Sequence, residues 1–578
     1  MDRARGGTRP CSRGNARLDS FLKRNADRGV YERIRAHEPC VVLSDSINKV
    51  YMHVVLSDER LYLTEYLPRT LTAAVSFESV RDIELVNDLP EFLSLKDRER
   101  CQHIRITYVT EKPAGKGRDW SRRSNGEGLP PAVSRSRRAS HIPPMVKMEG
   151  YSAESQWMKE DLQPVRKSTR SASCPNAELL GLPRVPLPPS ERPTPSPLST
   201  PPTSPSLSEE SLKTLESSQV THSISSVLSR ILRRDPASSA VEREAELHLY
   251  AVSETSRLYL HLQSSWNSFI IKSTLMLDPL YRRRCVASPD PGTPSISMER
   301  MARLFTQLSS ELLQSGIGQE KLYVLLQELR TAAHRYIPLR RLFWRSGEVC
   351  AFLVETLEDC LHGCGSLGGA YTADQLLMST LIVQTLAIMF RETEVEAARI
   401  NLLSAKKGAL ASRMLLALVC DPQLSLVNSE IQSLLTEYLD AACTLLFELL
   451  LLGHETSRCF SADNFLSVGW SLRVLQPHPH LMAFIGYQAQ QVVLVLSGLQ
   501  ESPLSPAQSV LLFQRCGLLL ACLQYNPQLA QHLRSSFREE FRFFVKVSCA
   551  EEKLSPHHPI SRPTLRLVDH IQTRIQYT

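Results

Sequence analysis

Glu246-Leu247-His248-Leu249-Tyr250-Ala251-Val252 is the stretch that decides the fold. Apolar Leu247, Leu249 and Ala251 alternate with His248 and Tyr250, the period of a half-buried strand. It follows a Pro/Ser/Arg-rich tract, residues 111–240, that holds 18 of the chain's 36 prolines. On the near side of that tract, Ile104–Val109 also reads as a strand. Strand patterning that stops and then resumes marks an insertion into one domain rather than a linker between two. The two ends of the tract should therefore lie close together, with Leu247–Val252 paired to Ile104–Val109.

Working toward the N-terminus, Arg17–Glu38 has the spacing of an amphipathic helix, with Leu18, Phe21, Leu22 and Ile34 as its apolar stripe. Cys40–Ser44, Val50–Leu56, Leu61–Tyr66, Ala73–Phe77, Ile83–Val86 and Ile104–Val109 then follow as short strands separated by polar turns. Beyond the seventh strand, Thr255–Leu277 places Leu258, Leu262, Trp266, Phe269, Ile270 and Leu277 on one helical face.

Six strands, an insertion, a seventh strand and a closing helix resemble the pleckstrin-homology (PH)/GRAM-like superfold. The local match runs through Val54-Val-Leu-Ser-Asp-Glu-Arg-Leu-Tyr-Leu63 and Val75-Ser-Phe-Glu-Ser-Val-Arg-Asp-Ile83. The resemblance implies that Trp266 plugs one end of a β-barrel. It also implies that a phosphoinositide-binding member would carry several cations in its first hairpin. Here that hairpin reads Ser44-Asp-Ser-Ile-Asn-Lys49, with one Lys and one Asp, which favours protein docking over tight lipid binding.

The inserted tract has too little apolar content to offset chain entropy and is expected to be disordered. Arg170-Ser171-Ala172-Ser173-Cys174-Pro175 is its sharpest motif. Phosphorylated on Ser173, it resembles a 14-3-3 ligand, in which a phosphate meets an arginine cluster and Pro175 turns the chain away. Chance occurrence in an Arg/Ser/Pro-rich tract is the competing explanation. Ser140, after Arg137-Arg-Ala, is a second basophilic kinase-type site, able to act as the weaker arm of a bivalent ligand. Thr194, Ser196, Thr200 and Ser204 each precede proline and are candidate proline-directed sites. They stand in Pro183–Pro205, where ten prolines in 23 residues favour polyproline II.

From about Ser297 onward, apolar residues recur at three-four spacing and outline about eleven helices, punctuated by Pro338, Gly363, Pro422, Pro477, Pro503 and Pro527. Helices of this length with short joints suit an armadillo/HEAT-like stack or an irregular bundle. The expected organisation is α+β and multidomain. Residues 1–16 form a leader, 17–110 with 241–280 a split PH-like antiparallel barrel, 111–240 the insertion, 281–296 a linker and 297–578 an all-helical domain. In that last domain no phosphate loop, zinc-protease helix, nucleophile elbow or kinase motif set occurs. Cys360, His362 and Cys364 have a metal-like look but no evident fourth ligand. Arg340, Arg341, Phe343, Trp344 and Arg345 offer either a docking hot spot for an acidic partner or a helix with its aromatics turned inward.

The net charge of +7 matches the surplus of residues 112–170, where 13 Lys/Arg face 6 Asp/Glu. The folded parts are close to neutral, which argues against nucleic acid as a partner. The 14 cysteines show no CxxC, and no signal-peptide core precedes the first strand. The apolar runs Leu376–Phe390 and Ala441–Gly453 fall short of a bilayer span.

Over the whole chain, Arg17–Asn25, Ile34–Cys40, Gln102–Ile106, Leu260–Lys272, Met389–Glu394 and Ala405–Leu410 resemble a vertebrate family named for an open reading frame on human chromosome 12. That family carries no assigned activity, so the resemblance implies architecture and transfers no catalytic residue. The combined expectation is a non-enzymatic cytoplasmic adaptor without cofactor, metal or small-molecule substrate. Its partners would be proteins, including 14-3-3 after phosphorylation of the loop. The alternatives are a peripheral protein on acidic lipid and a regulator of a small GTPase.

Overall fold

The computed structural model describes residues 15–110, 243–253, 256–285, 298–362, 371–391, 397–423, 429–453, 466–498 and 503–576. Seven strands form one antiparallel sheet: β1 Ile34–Ser44, β2 Val50–Ser57, β3 Arg60–Glu65, β4 Thr72–Ser76, β5 Val80–Val86, β6 Gln102–Thr110 and β7 Arg243–Ala251. Their order is β4-β3-β2-β1-β7-β6-β5, with β4 and β5 at its ends. β6 and β7 pair along their length, Ile104 opposite Leu249, Ile106 opposite Leu247 and Thr110 opposite Arg243. The strands on either side of the tract are thus hydrogen-bonded neighbours. Their alternation turns Val42, Val54, Leu56, Leu61, Leu63, Ile104, Ile106, Leu247 and Leu249 into one cluster.

The single helix expected over Arg17–Glu38 is replaced by α1 (Ala16–Asn25) and α2 (Arg28–Arg33). Asn15 caps α1 by accepting from the Leu18 amide at 3.2 Å, and the extended backbone of Ala26 stops it. Ile34–Glu38 instead belongs to β1, where Ala36 sits opposite Leu56. Sheet pairing here overrides local helical spacing. Ile34 still packs with Leu18, Phe21 and Leu22, against Val55 of β2. A short α3 (Leu95–Arg100), capped by Ser94, precedes β6.

After the sheet comes α4 (Leu258–Leu275), which buries Leu258, Leu262, Trp266, Ile270 and Ile271 against the strands. Ser264, Ser265, Asn267 and Thr274 are buried as well, because the helical half covers the other side. Phe447, Val510, Phe513 and Ile560 join the sheet's own cluster, and the Ile560 amide donates to Thr274 Oγ1 at 3.2 Å. Sheet and helices therefore form one compact unit with a continuous seam. α5 (Pro279–Cys285) occupies part of the segment expected as linker.

Thirteen helices follow among the described residues. They are α6 (Met298–Leu312), α7 (Gln319–Arg335), α8 (Ile337–Arg345), α9 (Gly347–His362), α10 (Ala373–Phe390), α11 (Ala397–Leu418) and α12 (Ser429–Leu452). Then come α13 (Val468–Leu475), α14 (Leu481–Ser497), α15 (Pro506–Tyr525), α16 (Pro527–Phe544), α17 (Val547–Lys553) and α18 (Ser561–Gln576). α11 is broken at Ala405-Lys-Lys-Gly408, where Lys406, Lys407 and Gly408 take φ of 49°, 60° and 77°. That break separates the two helices read from the sequence on either side of it. α8 forms over the stretch for which a helix with inward aromatics was one of two readings, α18 is a helix not read from spacing, and Pro338 and Pro563 fall within them. Each stands in a first helical turn, where a missing N–H costs nothing. Capping boxes at Thr372/Gln375 and Ser505/Gln508 start α10 and α15. These two helices have the length and apolar content of a bilayer span, and 72% and 67% of their apolar stretches are buried inside the protein.

Candidate functional site at the seam of sheet and helices

α4 faces β5 on one side and α12 and α15 on the other. Where these elements diverge they leave a cavity of about 370 Å³. Trp266 of α4, Phe447, Leu450 and Leu451 of α12, and Phe513 and Leu520 of α15 supply its apolar walls. Asp82 and Glu84 of β5, Gln524 at the end of α15, and Arg566 and His570 of α18 form a polar rim. Tyr259, Gln263 and Asn267 stand four residues apart on α4 and so share the face that lines the cavity. The Gln263 amide donates to the Ile83 carbonyl, which fixes α4 to β5.

The rim charges are matched in pairs. Arg566 Nη1 lies 2.9 Å from Asp82 Oδ2, and Arg105 Nη2 donates to Glu84 Oε2 at 2.9 Å. Burial raises the Asp82 carboxyl, and Arg566 opposes that shift. Gly517 allows the closest approach: a Cβ there would meet Phe447 Cε2 at 2.7 Å. Glycine therefore lets one edge of the Phe447 ring close on α15 beside the cavity.

A second polar cluster lies on β6 and β7. Asp88 Oδ2 stands 2.8 Å from His103 Nδ1, His103 Nε2 is 3.0 Å from His248 Nδ1, and His248 Nε2 is 3.2 Å from Glu246 Oε2. Burial lowers the His103 pKa, and Asp88 pulls against it. Among the described residues, no group of three His, Cys, Asp or Glu side chains is placed to hold a metal.

Of the two readings of α8, the buried side chains match the helix with inward aromatics and correct the surface hot spot. Arg340 is 5% exposed, Phe343 0% and Trp344 2%. Arg341 is half-buried, and only Arg345 is exposed. The side chains turn inward to serve the C-terminal end of α10. Trp344 Nε1 donates to the Met389 carbonyl at 2.9 Å, Arg399 Nη1 to Phe390 at 2.8 Å, and Arg340 Nη1 to Arg391 at 3.2 Å. Cations and donors at a helix C-terminus satisfy its last carbonyls and complement its dipole. Arg399 also stands 5.8 Å from the Trp344 ring and 5.3 Å from that of Phe390. Buried Glu448 sits 3.6 Å from Arg391; burial raises its carboxyl, while Arg391, Arg399 and Arg340 pull it down.

Five of the described thiols are deeply buried and poor nucleophiles. Burial pushes Cys350, Cys420, Cys443, Cys516 and Cys522 up to about 12, so a thiolate is scarce at neutral pH. Ser509 Oγ lies 3.1 Å from His558 Nδ1 but is itself fully buried. Trp266 is buried in the sheet cluster and lines the cavity. Arg170, Ser171, Ser173, Pro175, Ser140, Thr194, Ser196, Thr200 and Ser204 lie outside the described residues, as does Cys364. Spacing alone did not reveal the cavity, because its lining comes from six separate stretches of chain.

A family model described as "Protein of unknown function (DUF4551)" matches residues 12–574. A human relative, "Uncharacterized protein C12orf56", is 34% identical over 621 aligned positions, covering 97% of this chain and 98% of the relative. The homologue from Macaca fascicularis is 32% identical with the same coverage. That from Mus musculus is 36% identical over 362 positions, covering 58% of this chain and 67% of the relative. No solved structure gives a significant match.

Proposed function

We propose that this chain, which belongs to the DUF4551 family, is a non-enzymatic adaptor whose inserted arm is controlled by phosphorylation. The observation that carries this reading is the register of β6 and β7, which sets Thr110 directly opposite Arg243. Residues 111–242 thus leave and re-enter the fold at one point on the sheet. The body acts as a rigid platform, and the arm presents Ser173 within Arg170–Pro175 to a phosphate-reading partner such as 14-3-3, with Ser140 as the second arm. The strand order and the buried Trp266 support a PH-like identity for the sheet and its closing helix. The run of helices from α6 to α18 supports a degenerate armadillo/HEAT-like stack. A cytoplasmic location goes with this role, since the kinases and 14-3-3 act there. The test is titration of recombinant 14-3-3 against full-length protein phosphorylated on Ser173, unphosphorylated protein and Ser173→Ala. Binding to the phosphorylated form alone supports the reading; equal binding by all three, or none, overturns it.

A second reading is a peripheral membrane protein. Val50, Tyr51, Tyr66 and Leu67 are each at least 45% exposed, and Lys49 stands beside them. Flotation with phosphatidylserine and phosphoinositide vesicles tests it, and protein that stays at the bottom at low salt removes it.

A further inference from the structure

We propose that the cavity at the seam binds a small, uncharged, mainly apolar organic molecule. This goes beyond the adaptor role and does not depend on it.

The half-open cavity measures about 370 Å³ and is walled by Trp266, Phe447, Phe513 and Leu451. Its size falls within the roughly 300–1,000 Å³ of ligand pockets, which concentrate where domains meet. The aromatic walls suit a flat or ring-bearing body, which gains offset and edge-on ring contacts there. The rim excludes charge. Asp82 is matched by Arg566 and Glu84 by Arg105, each at 2.9 Å, so an ionised ligand would have to break a pair or enter unpaired. Gln524 and His570 are exposed at the entrance and can bond one carbonyl or hydroxyl group, which fixes orientation. Gly517 keeps the site from closing, since any side chain there would displace the Phe447 ring.

The test uses the full-length chain and Nile red, an uncharged aromatic dye whose emission rises in apolar surroundings. The expected result is saturable binding of one dye per chain. Ala521 lines the cavity, and Ala521→Trp should fill it and weaken the dye at least ~10-fold. Monooctanoylglycerol should displace the dye, and octanoate, of equal chain length but charged, should not. Hydrogen exchange on the unmutated protein reports the location without any substitution. Protection should appear in 259–267, 513–525 and 563–570. Non-saturable binding, an affinity unchanged by Ala521→Trp in a folded variant, protection elsewhere, or equal displacement by octanoate overturns the proposal.

Discussion

The two places where this molecule joins distant parts of its chain are built in opposite ways. At the end of α10, Trp344, Arg340 and Arg399 each donate to a backbone carbonyl, Arg340 donating to that of Ala333 as well, and the space between them is filled by rings and guanidinium planes. At the seam of α4 with β5 and α18, the charges sit at the rim, partly in water, and the interior is left as a cavity. Buried donors bonded to backbone carbonyls and packed among rings make a rigid joint; exposed pairs around a gap make a tolerant one. The first joint should therefore respond strongly to single substitutions and the second weakly.

The largest effect is expected at Trp344. Trp344→Ala removes a fully packed side chain and orphans the Met389 carbonyl, which should cost about 3–5 kcal/mol. Trp344→Phe keeps most of the packing and loses the donor, so about 1–2 kcal/mol is expected. Arg399→Ala should fall in the upper range as well, about 3 kcal/mol, since it strips the Phe390 carbonyl and leaves Glu448 with less compensation. Urea denaturation midpoints read all three. Arg345→Ala, on the same helix but exposed, should stay within about 0.5 kcal/mol. If Arg345→Ala cost as much as Trp344→Ala, the contrast between the buried and exposed sides of α8 would be wrong.

This contrast also marks what the sequence could reveal. The strands were legible because period-two alternation is local: Leu247, Leu249, Ile104 and Ile106 all point inward as their spacing predicts. The pairing of β6 with β7 was legible because patterning stopped and resumed around the tract. The direction of Phe343 and Trp344 was not, because an aromatic and arginine stripe has the same spacing whether it faces a partner or the core. Its targets, Met389 to Arg391, lie more than forty residues further along the chain. The cavity left no local trace for the same reason. Even α4 was legible only in part: Leu258, Leu262, Trp266 and Ile270 are buried as read, Leu277 lies beyond the helix and is exposed, and the burial of Asn267 and Thr274 depends on helices that come much later. Ile34 was misplaced because the pull of β2 outweighs a helical spacing that is real.

An intermediate effect should appear with pH at the tight joint. His334 is lowered from 6.5 to about 3, by burial first and then by Arg391, Arg340, Arg330 and Arg284. His261 beside the seam is lowered to about 4, by burial and then Arg257 and Arg399. A base with a depressed folded-state pKa is neutral in the fold and takes up a proton on unfolding. Below pH 6.5 the unfolded chain therefore binds more protons, and stability falls as the solution is acidified. Each such histidine contributes up to about 1.4 kcal/mol per unit of pH over its window. Glu448 and Asp440 have raised pKa values and act in the opposite sense, so the total slope is a balance. The difference between parent and His334→Gln isolates one contributor. The variant should lose less stability between pH 6.5 and 5 in paired urea titrations, and parallel curves would remove His334 from the account.

The smallest effect belongs to the rim. The Arg566 and Asp82 side chains are 37% and 32% exposed, so their ion pair is screened and contributes about 0–1 kcal/mol. Burial also disfavours the Asp82 carboxylate, which offsets part of what Arg566 supplies. Asp82→Asn should therefore shift the unfolding midpoint little, and less still at high salt. Yet the same substitution removes the partner that neutralises Arg566 at the cavity mouth. It should let an anionic molecule such as octanoate enter where the parent excludes it. A nearly unchanged midpoint together with new octanoate binding would show that the rim pair governs selection rather than stability. A loss of several kcal/mol would instead place the seam in the same class as the α10 joint, and the comparison between the two would fail.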